Sequence, residues 1–121
     1  MSYNVFVYGT LKEGFGNNRL LRGRAEKVRD DTLSGYKMYS MGAFPFIVPT
    51  GNEEDVVNGE VWYVPDEHEE EVEASLDMLE GYPNFYNKHT VYPDGGHEYV
   101  DVYFMDTALK GYPQVPSGNW G

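Results

Sequence analysis

Three hydrophobic patterns run along the chain, and each predicts a different kind of element. Val5-Phe6-Val7-Tyr8 is a continuous run of β-branched and aromatic residues, the pattern of a strand buried on both faces. The run breaks at Gly9, where a backbone without Cβ can turn sharply or let a ligand approach closely. Asn17 to Leu21 then reads as the start of a short helix. Between Ala25 and Ser40, Val28, Leu33, Tyr36, Met38 and Tyr39 alternate loosely with polar residues, which predicts strand. Met41 to Pro49 is apolar but carries Pro45 and Pro49, so it suits an edge strand or a loop wall. Gly51 to Asp55 is an acidic turn. Val56 to Val64 predicts a further strand, with Gly59 marking a bulge or a close approach.

A helical period appears clearly only once. Pro65 stops the preceding strand and Asp66 opens one long helix. Asp66 and Glu69 have the spacing of a capping box, and Glu67, Glu69, Glu70 and Glu71 complement the positive N-terminus. Val72, Leu76 and Leu79 fall at i, i+4 and i+7, an apolar stripe for the core, so the glutamates form the solvated face. Gly81 supplies the stop and Pro83 prevents continuation. Further on, Asp94-Gly95 predicts the tip of a two-residue hairpin. That tip sets Lys88 opposite Asp101, Tyr86 opposite Tyr103 and Thr90 opposite Tyr99, an aromatic and polar face suited to a pocket wall. The last segment, about 106–121, should run irregularly over the body, pinned by Leu109, Tyr112, Val115 and Trp120.

Composition narrows the class. A chain of 121 residues with 40% hydrophobic and 16% aromatic content suits one folded domain spanning 1–121. The absence of cysteine excludes disulfides, thiolate metal sites and a cysteine nucleophile. The net charge of −11 argues against nucleic acid and against anionic membranes as partners. No stretch approaches the roughly 20 apolar residues needed to span a bilayer. The opening Met-Ser-Tyr-Asn-Val lacks the basic and apolar regions of a secretory leader, so a cytoplasmic location is expected. Oligomeric state is not encoded in any pattern seen here.

Two stretches carry candidate chemistry. The turn after the first strand leaves backbone N–H groups that could hold an anion or a developing oxyanion, although the same residues also suit an ordinary strand-to-helix turn. Glu80 closes the long helix, where the dipole opposes a negative charge. Tyr82, Phe85 and Tyr86 follow and could strip water from it, and both effects raise a carboxyl pKa toward general acid–base use. An exposed terminal glutamate is the ordinary alternative. Glu60 is a second candidate acid. Arg19, Arg22 and Arg24 form the one dense basic cluster and read as a solvated face; spacing gives no support for Arg19 or Arg22 holding a substrate carboxylate. His68, His89 and His97 do not converge in the predicted register, so no metal site is expected.

Tyr8-Gly9-Thr10-Leu11 and Leu79-Glu80-Gly81-Tyr82-Pro83, with Ser117-Gly118-Asn119-Trp120 near the end, resemble the γ-glutamylcyclotransferase-like family. The nearest likeness is to its γ-glutamylamine cyclotransferase branch, and it covers nearly the whole chain. The resemblance implies a mixed α/β fold: a compact, barrel-like, largely antiparallel sheet with one long helix and one or two short ones. It implies release of 5-oxoproline from a small γ-glutamyl substrate, with no cofactor and no metal. Glu80 would be catalytic; Tyr8, Gly9, Thr10, Leu11 and Tyr86 would bind substrate. In the family a segment like Gly42-Ala43-Phe44-Pro45 lines the pocket with a small residue after the proline, so Phe46 is expected to narrow it. A non-catalytic member that binds a metabolite or a protein partner is the alternative.

Overall fold

The computed structural model describes residues 3–96 and 98–121. Seven strands, one α-helix and a short 3-10 helix follow in chain order: β1 (Tyr3–Val7), the 3-10 helix (Gly16–Leu20), β2 (Glu26–Ser34), β3 (Tyr36–Ser40), β4 (Pro45–Pro49), β5 (Val56–Val64), α1 (Asp66–Glu80), β6 (Asn87–Val91) and β7 (Val100–Phe104). The fold is mixed α/β, as the hydrophobic pattern predicts. Five strands form one sheet in the order β2-β5-β1-β7-β6, and β3 and β4 form a separate ribbon. All pairings are antiparallel except β1 with β7.

β1 takes the central place because Val5, Phe6 and Val7 are apolar on both faces, and all three are buried. The stretch from Ala25 to Ser40 becomes two strands, divided at Gly35, whose φ of 91° lies in the region that favours glycine. The bulge expected at Gly59 sits on the partner strand instead. Lys27 pairs with Trp62 and Arg29 with Val61, so Val28 is skipped and left exposed. Gly59 serves close approach: a Cβ there would lie 2.5 Å from the Val7 carbonyl oxygen and 2.6 Å from the Phe6 ring.

Two expectations at α1 are revised. The capping position is Pro65, extended at φ −68° and ψ 158°, and it makes no side-chain capping bond. Asp66 is already helical, so the Asp66–Glu69 box cannot form there. Val72 and Leu76 are buried as the stripe requires, whereas Leu79 is 39% exposed.

The β6–β7 register also differs from expectation. Lys88 pairs with Tyr103 and Thr90 with Asp101; the pairs Lys88–Asp101, Tyr86–Tyr103 and Thr90–Tyr99 do not form. The slip is two residues, so every side chain keeps its face. Its cause lies in β2. The Asp94 amide donates to the Thr32 carbonyl (2.9 Å), and the Asp94 carboxylate accepts from the hydroxyls of Thr32 (2.6 Å) and Ser34 (2.8 Å). The Gly95 amide donates to Asp31 Oδ1 (2.8 Å). Asp94-Gly95 is therefore a turn, but it fastens the 92–99 connection onto the opposite edge of the sheet. His97 lies outside the described residues.

That fastening helps close the barrel. The β3–β4 ribbon joins it through the Met105 amide and the Ile47 carbonyl (2.9 Å). The other edge of β3 receives the last segment, where the Ser40 amide donates to the Pro113 carbonyl and the Val115 amide to the Met38 carbonyl, both at 2.8 Å.

Candidate active site

A cavity of about 260 Å³ opens where three segments meet. One is the end of β1 and its turn, Phe6 to Leu11. The second is Ala43-Phe44-Pro45, entering β4. The third is the end of α1, Leu79 and Glu80, with Phe85 and Tyr86 beyond it. The six residues singled out from sequence, Tyr8, Gly9, Thr10, Leu11, Glu80 and Tyr86, all line it. Tyr82 does not: it turns to Lys88, whose Nζ lies 4.6 Å from its ring centroid. Phe46 is fully buried and stacks on Tyr39 at 5.3 Å, so it fills the core and does not narrow the cavity.

Glu80 reaches the cavity because the helix ends immediately after it. Gly81 adopts φ 65° and its N–H bonds back to the carbonyls of Asp77 and Met78; the Tyr82 amide donates to the Asp77 carbonyl at 2.9 Å. The chain then reverses, with the Phe85 amide donating to the Gly81 carbonyl (2.7 Å) and the Tyr86 amide to the Glu80 carbonyl (3.3 Å), and Phe85 and Tyr86 line the same cavity as Glu80. Glu80 is partly buried, and desolvation pushes its pKa up from 4.5 to about 7. Tyr8 and Tyr86 are also raised, chiefly by burial and further by the negative charge of Glu80. Both stay protonated and act as donors. Tyr8 donates to the Tyr103 carbonyl (2.8 Å) and Tyr86 to the Pro45 carbonyl (2.7 Å), which holds the cavity walls together.

The turn after β1 is built to present N–H groups. Its carbonyls are taken: Gly9 O accepts from the Lys12 amide (3.0 Å), Thr10 O from the Asn17 amide (3.1 Å), and Leu11 O from the Asn18 side chain (2.8 Å). The N–H groups of Gly9, Thr10 and Leu11 have no acceptor among the described residues. Gly9 needs no unusual φ; its missing Cβ admits Pro45.

Tyr103, which sequence places on a pocket wall, lines the cavity although it pairs with Lys88 and not Tyr86; Asn17 also lines it and has no role in the sequence reading. The adjacent amides Asn17-Asn18, poor helix formers before Leu20-Leu21, were a usable signal, since such side chains bond to nearby backbone. Arg19, Arg22 and Arg24 stay outside the cavity. Glu60 is consumed in structure: it accepts from the Glu13 amide (2.9 Å) and Trp62 Nε1 (3.0 Å) and pairs with Lys27 (3.5 Å). His89 stacks on Phe104 at 3.9 Å and meets the Tyr36 hydroxyl at 2.6 Å. His68 contacts Glu71 on α1.

The sequence profile described as "Gamma-glutamyl cyclotransferase, AIG2-like" matches residues 5–121. The chain belongs to this family. A Vibrio cholerae protein provisionally named a γ-glutamylcyclotransferase is 34% identical over 120 residues, covering 99% of this chain and 96% of its own. The Escherichia coli K12 γ-glutamylcyclotransferase family protein YtfP is 29% identical over 116 residues, covering 96% and 94%. The solution structure of E. coli YtfP superposes with a TM-score of 0.71 at 28% identity over 97% of this chain and 95% of its own. The crystal structure of PH0828 from Pyrococcus horikoshii gives 0.75 at 23% identity, covering 97% and 88%, a likeness of fold alone. In this γ-glutamylcyclotransferase-like chain residues 8–11 of the first motif and Leu79 and Glu80 of the second come to one cavity, although about 70 residues of sequence separate them.

Proposed function

We propose that the protein is a γ-glutamyl cyclotransferase that releases 5-oxoproline and a free amine from a γ-glutamyl amine or γ-glutamyl amino acid. The observation that carries this reading is that one carboxyl, Glu80, lines a single small cavity together with Gly9, Thr10 and Leu11, whose peptide N–H groups have no acceptor among the described residues. Family membership supports the reaction class.

The nucleophile belongs to the substrate, so the chain needs none of its own. Ionised Glu80 removes a proton from the substrate α-ammonium. The freed amine attacks the γ-carbonyl carbon, and the carbonyl oxygen becomes an oxyanion facing the N–H groups of Gly9, Thr10 and Leu11. Protonated Glu80 then gives its proton to the amide nitrogen, the carbon–nitrogen bond breaks, and the ionised Glu80 takes the second proton from the ring nitrogen and passes it to the freed amine, which departs as its ammonium form beside the neutral lactam. No water enters and no proton is left over. Ring closure is intramolecular, so holding the substrate curled meets much of the entropic barrier. A carboxyl near pH 7 in pKa suits both proton transfers. Tyr8 and Tyr86, with hydroxyls bound to the walls, shape the space around the curled chain.

The test is a 5-oxoproline release assay with purified protein across γ-glutamyl alkylamines, γ-glutamyl-ε-lysine and γ-glutamyl amino acids. Release from at least one class, lost in Glu80→Gln, is expected. No release from any member of the panel would overturn the reading.

A further inference from the structure

One charge of the substrate has no counterpart in the cavity. Every γ-glutamyl substrate carries an α-carboxylate, and no Lys, Arg or His is among the residues lining the cavity. We infer that Arg19, Asn17 and Thr10 form a one-directional hydrogen-bond chain whose last hydrogen, on the Thr10 hydroxyl, binds that carboxylate. The inference rests on the cyclotransferase reading for the ligand and on geometry for the chain.

The direction follows from donor chemistry. Arg19 Nη1 lies 2.9 Å from Asn17 Oδ1. A guanidinium has hydrogens to give and no lone pair to offer, so the atom facing it must be the amide oxygen. This fixes the amide plane, and Asn17 Nδ2 then donates to Thr10 Oγ1 at 2.8 Å. Thr10 Oγ1 is an acceptor in that bond, so its own hydrogen is left over. It has no acceptor among the described residues, and Thr10 and Asn17 both line the cavity. The Asn17 amide also donates to the Thr10 carbonyl (3.1 Å), so the two residues are held by two bonds and the hydroxyl is fixed in place.

Arg19 is exposed and stays out of the cavity, yet its positive end polarises the two links that follow. A cation is thus felt in the cavity without being buried there, which avoids the desolvation cost of a lining Arg. Arg19 and Asn17 are positioning residues; Thr10 is the one that touches ligand. The basic residue that sequence spacing could not connect to the substrate is connected through an amide two residues before it.

The experiment measures binding of the product, 5-oxoproline, and of its neutral analogue 5-oxoprolinamide to the full chain by calorimetry, alongside turnover. Wild type should prefer the carboxylate. Thr10→Val, which keeps the shape and removes the hydroxyl, should weaken 5-oxoproline about tenfold to a hundredfold, as when a hydrogen bond to a charged group is lost, and leave the amide little changed. Asn17→Asp reverses the chain, because a carboxylate accepts only and draws the Thr10 hydrogen away from the cavity. It should abolish the preference, and adding Thr10→Val to it should cost no more. Arg19→Met should give a smaller loss, since solvent screens the guanidinium, and Arg19→Lys should recover part of it. If Asn17→Asp does not fold, the Thr10 and Arg19 variants decide. Unchanged 5-oxoproline binding in Thr10→Val and Arg19→Met, or a wild type without preference for the carboxylate, overturns the chain. Binding that depends on Thr10 without any turnover would uphold the chain and overturn the cyclotransferase reading.

Discussion

Gly9 and Pro45 touch across the cavity wall so closely that a Cβ on Gly9 would fall 2.7 Å from Pro45 Cγ and 2.8 Å from Cδ. The turn that presents the N–H groups and the segment that enters β4 are thereby locked together. Pro45 is held from its other side as well, since its carbonyl accepts the Tyr86 hydroxyl. A proline ring has little freedom to retreat. Gly9→Ala should therefore destabilise the fold by roughly 1–3 kcal/mol, the usual cost of overpacking, and Gly9→Val by more. Adding Pro45→Ala to Gly9→Ala should recover part of the loss, as coupled neighbours do. Urea unfolding of Gly9→Ala, Pro45→Ala and the double variant measures this coupling; additive losses would show that the contact is not the reason for glycine.

Glu80→Gln should fold like wild type and lose about 10²–10⁴-fold in kcat, the range for removing a general acid–base group. Glutamine keeps the shape and cannot accept the proton. Circular dichroism checks the fold and 5-oxoproline release checks the rate. A folded variant with most of its activity would remove Glu80 from the mechanism.

The raised pKa of Glu80 also makes stability depend on pH, with a definite sign. Between 4.5, the ordinary value, and about 7, the folded state keeps a proton that the unfolded chain has released. Folding is therefore favoured at the acid end, and this contribution is lost as pH rises from about 4.5 through about 7. The loss should be of the order of 1–3 kcal/mol, allowing for partial solvation of the carboxyl. Denaturant titrations of wild type and Glu80→Gln across that window should diverge, with the variant gaining relative to wild type as pH rises. Carbon NMR titration of the Glu80 carboxyl gives the pKa directly. A midpoint near 4.5 would mean a well-solvated carboxylate. Catalysis runs the other way: activity should fall as pH drops through about 7, because the base must be ionised.

Asp94→Ala should loosen the closure of the barrel. Its carboxylate accepts from two hydroxyls on β2, so its removal leaves Thr32 and Ser34 without those partners. These groups are exposed, and water can replace the bonds, so a loss of about 1 kcal/mol is expected. Amide hydrogen exchange should accelerate locally, at Asp94 and Gly95, whose N–H groups bond to β2. Unchanged protection there would mean that the backbone bonds alone hold the loop.

The type and order of the elements were legible along the chain because strand and helix periods are properties of neighbouring residues. The buried strand at Val5 to Val7 and the stop at Gly81, whose left-handed φ suits glycine, follow from local chemistry. So does the isolation of Glu80 at a helix end. The hairpin register was misread because Asp94 finds its partners in Thr32 and Ser34, some 60 residues back, and no local pattern records that. The same holds for Leu79, which the helical stripe assigns to the core and the packing turns to the cavity, and for Phe46, which the packing buries against Tyr39. Sequence shows that Gly9 lets something approach, but only the fold shows that Pro45 is what it makes room for. Asn17 and Arg19 acquire their meaning from hydrogen bonds whose direction depends on atoms brought together in space. Local sequence sets which conformations each segment can adopt; which side chains face one another is decided when distant segments bury their surfaces together.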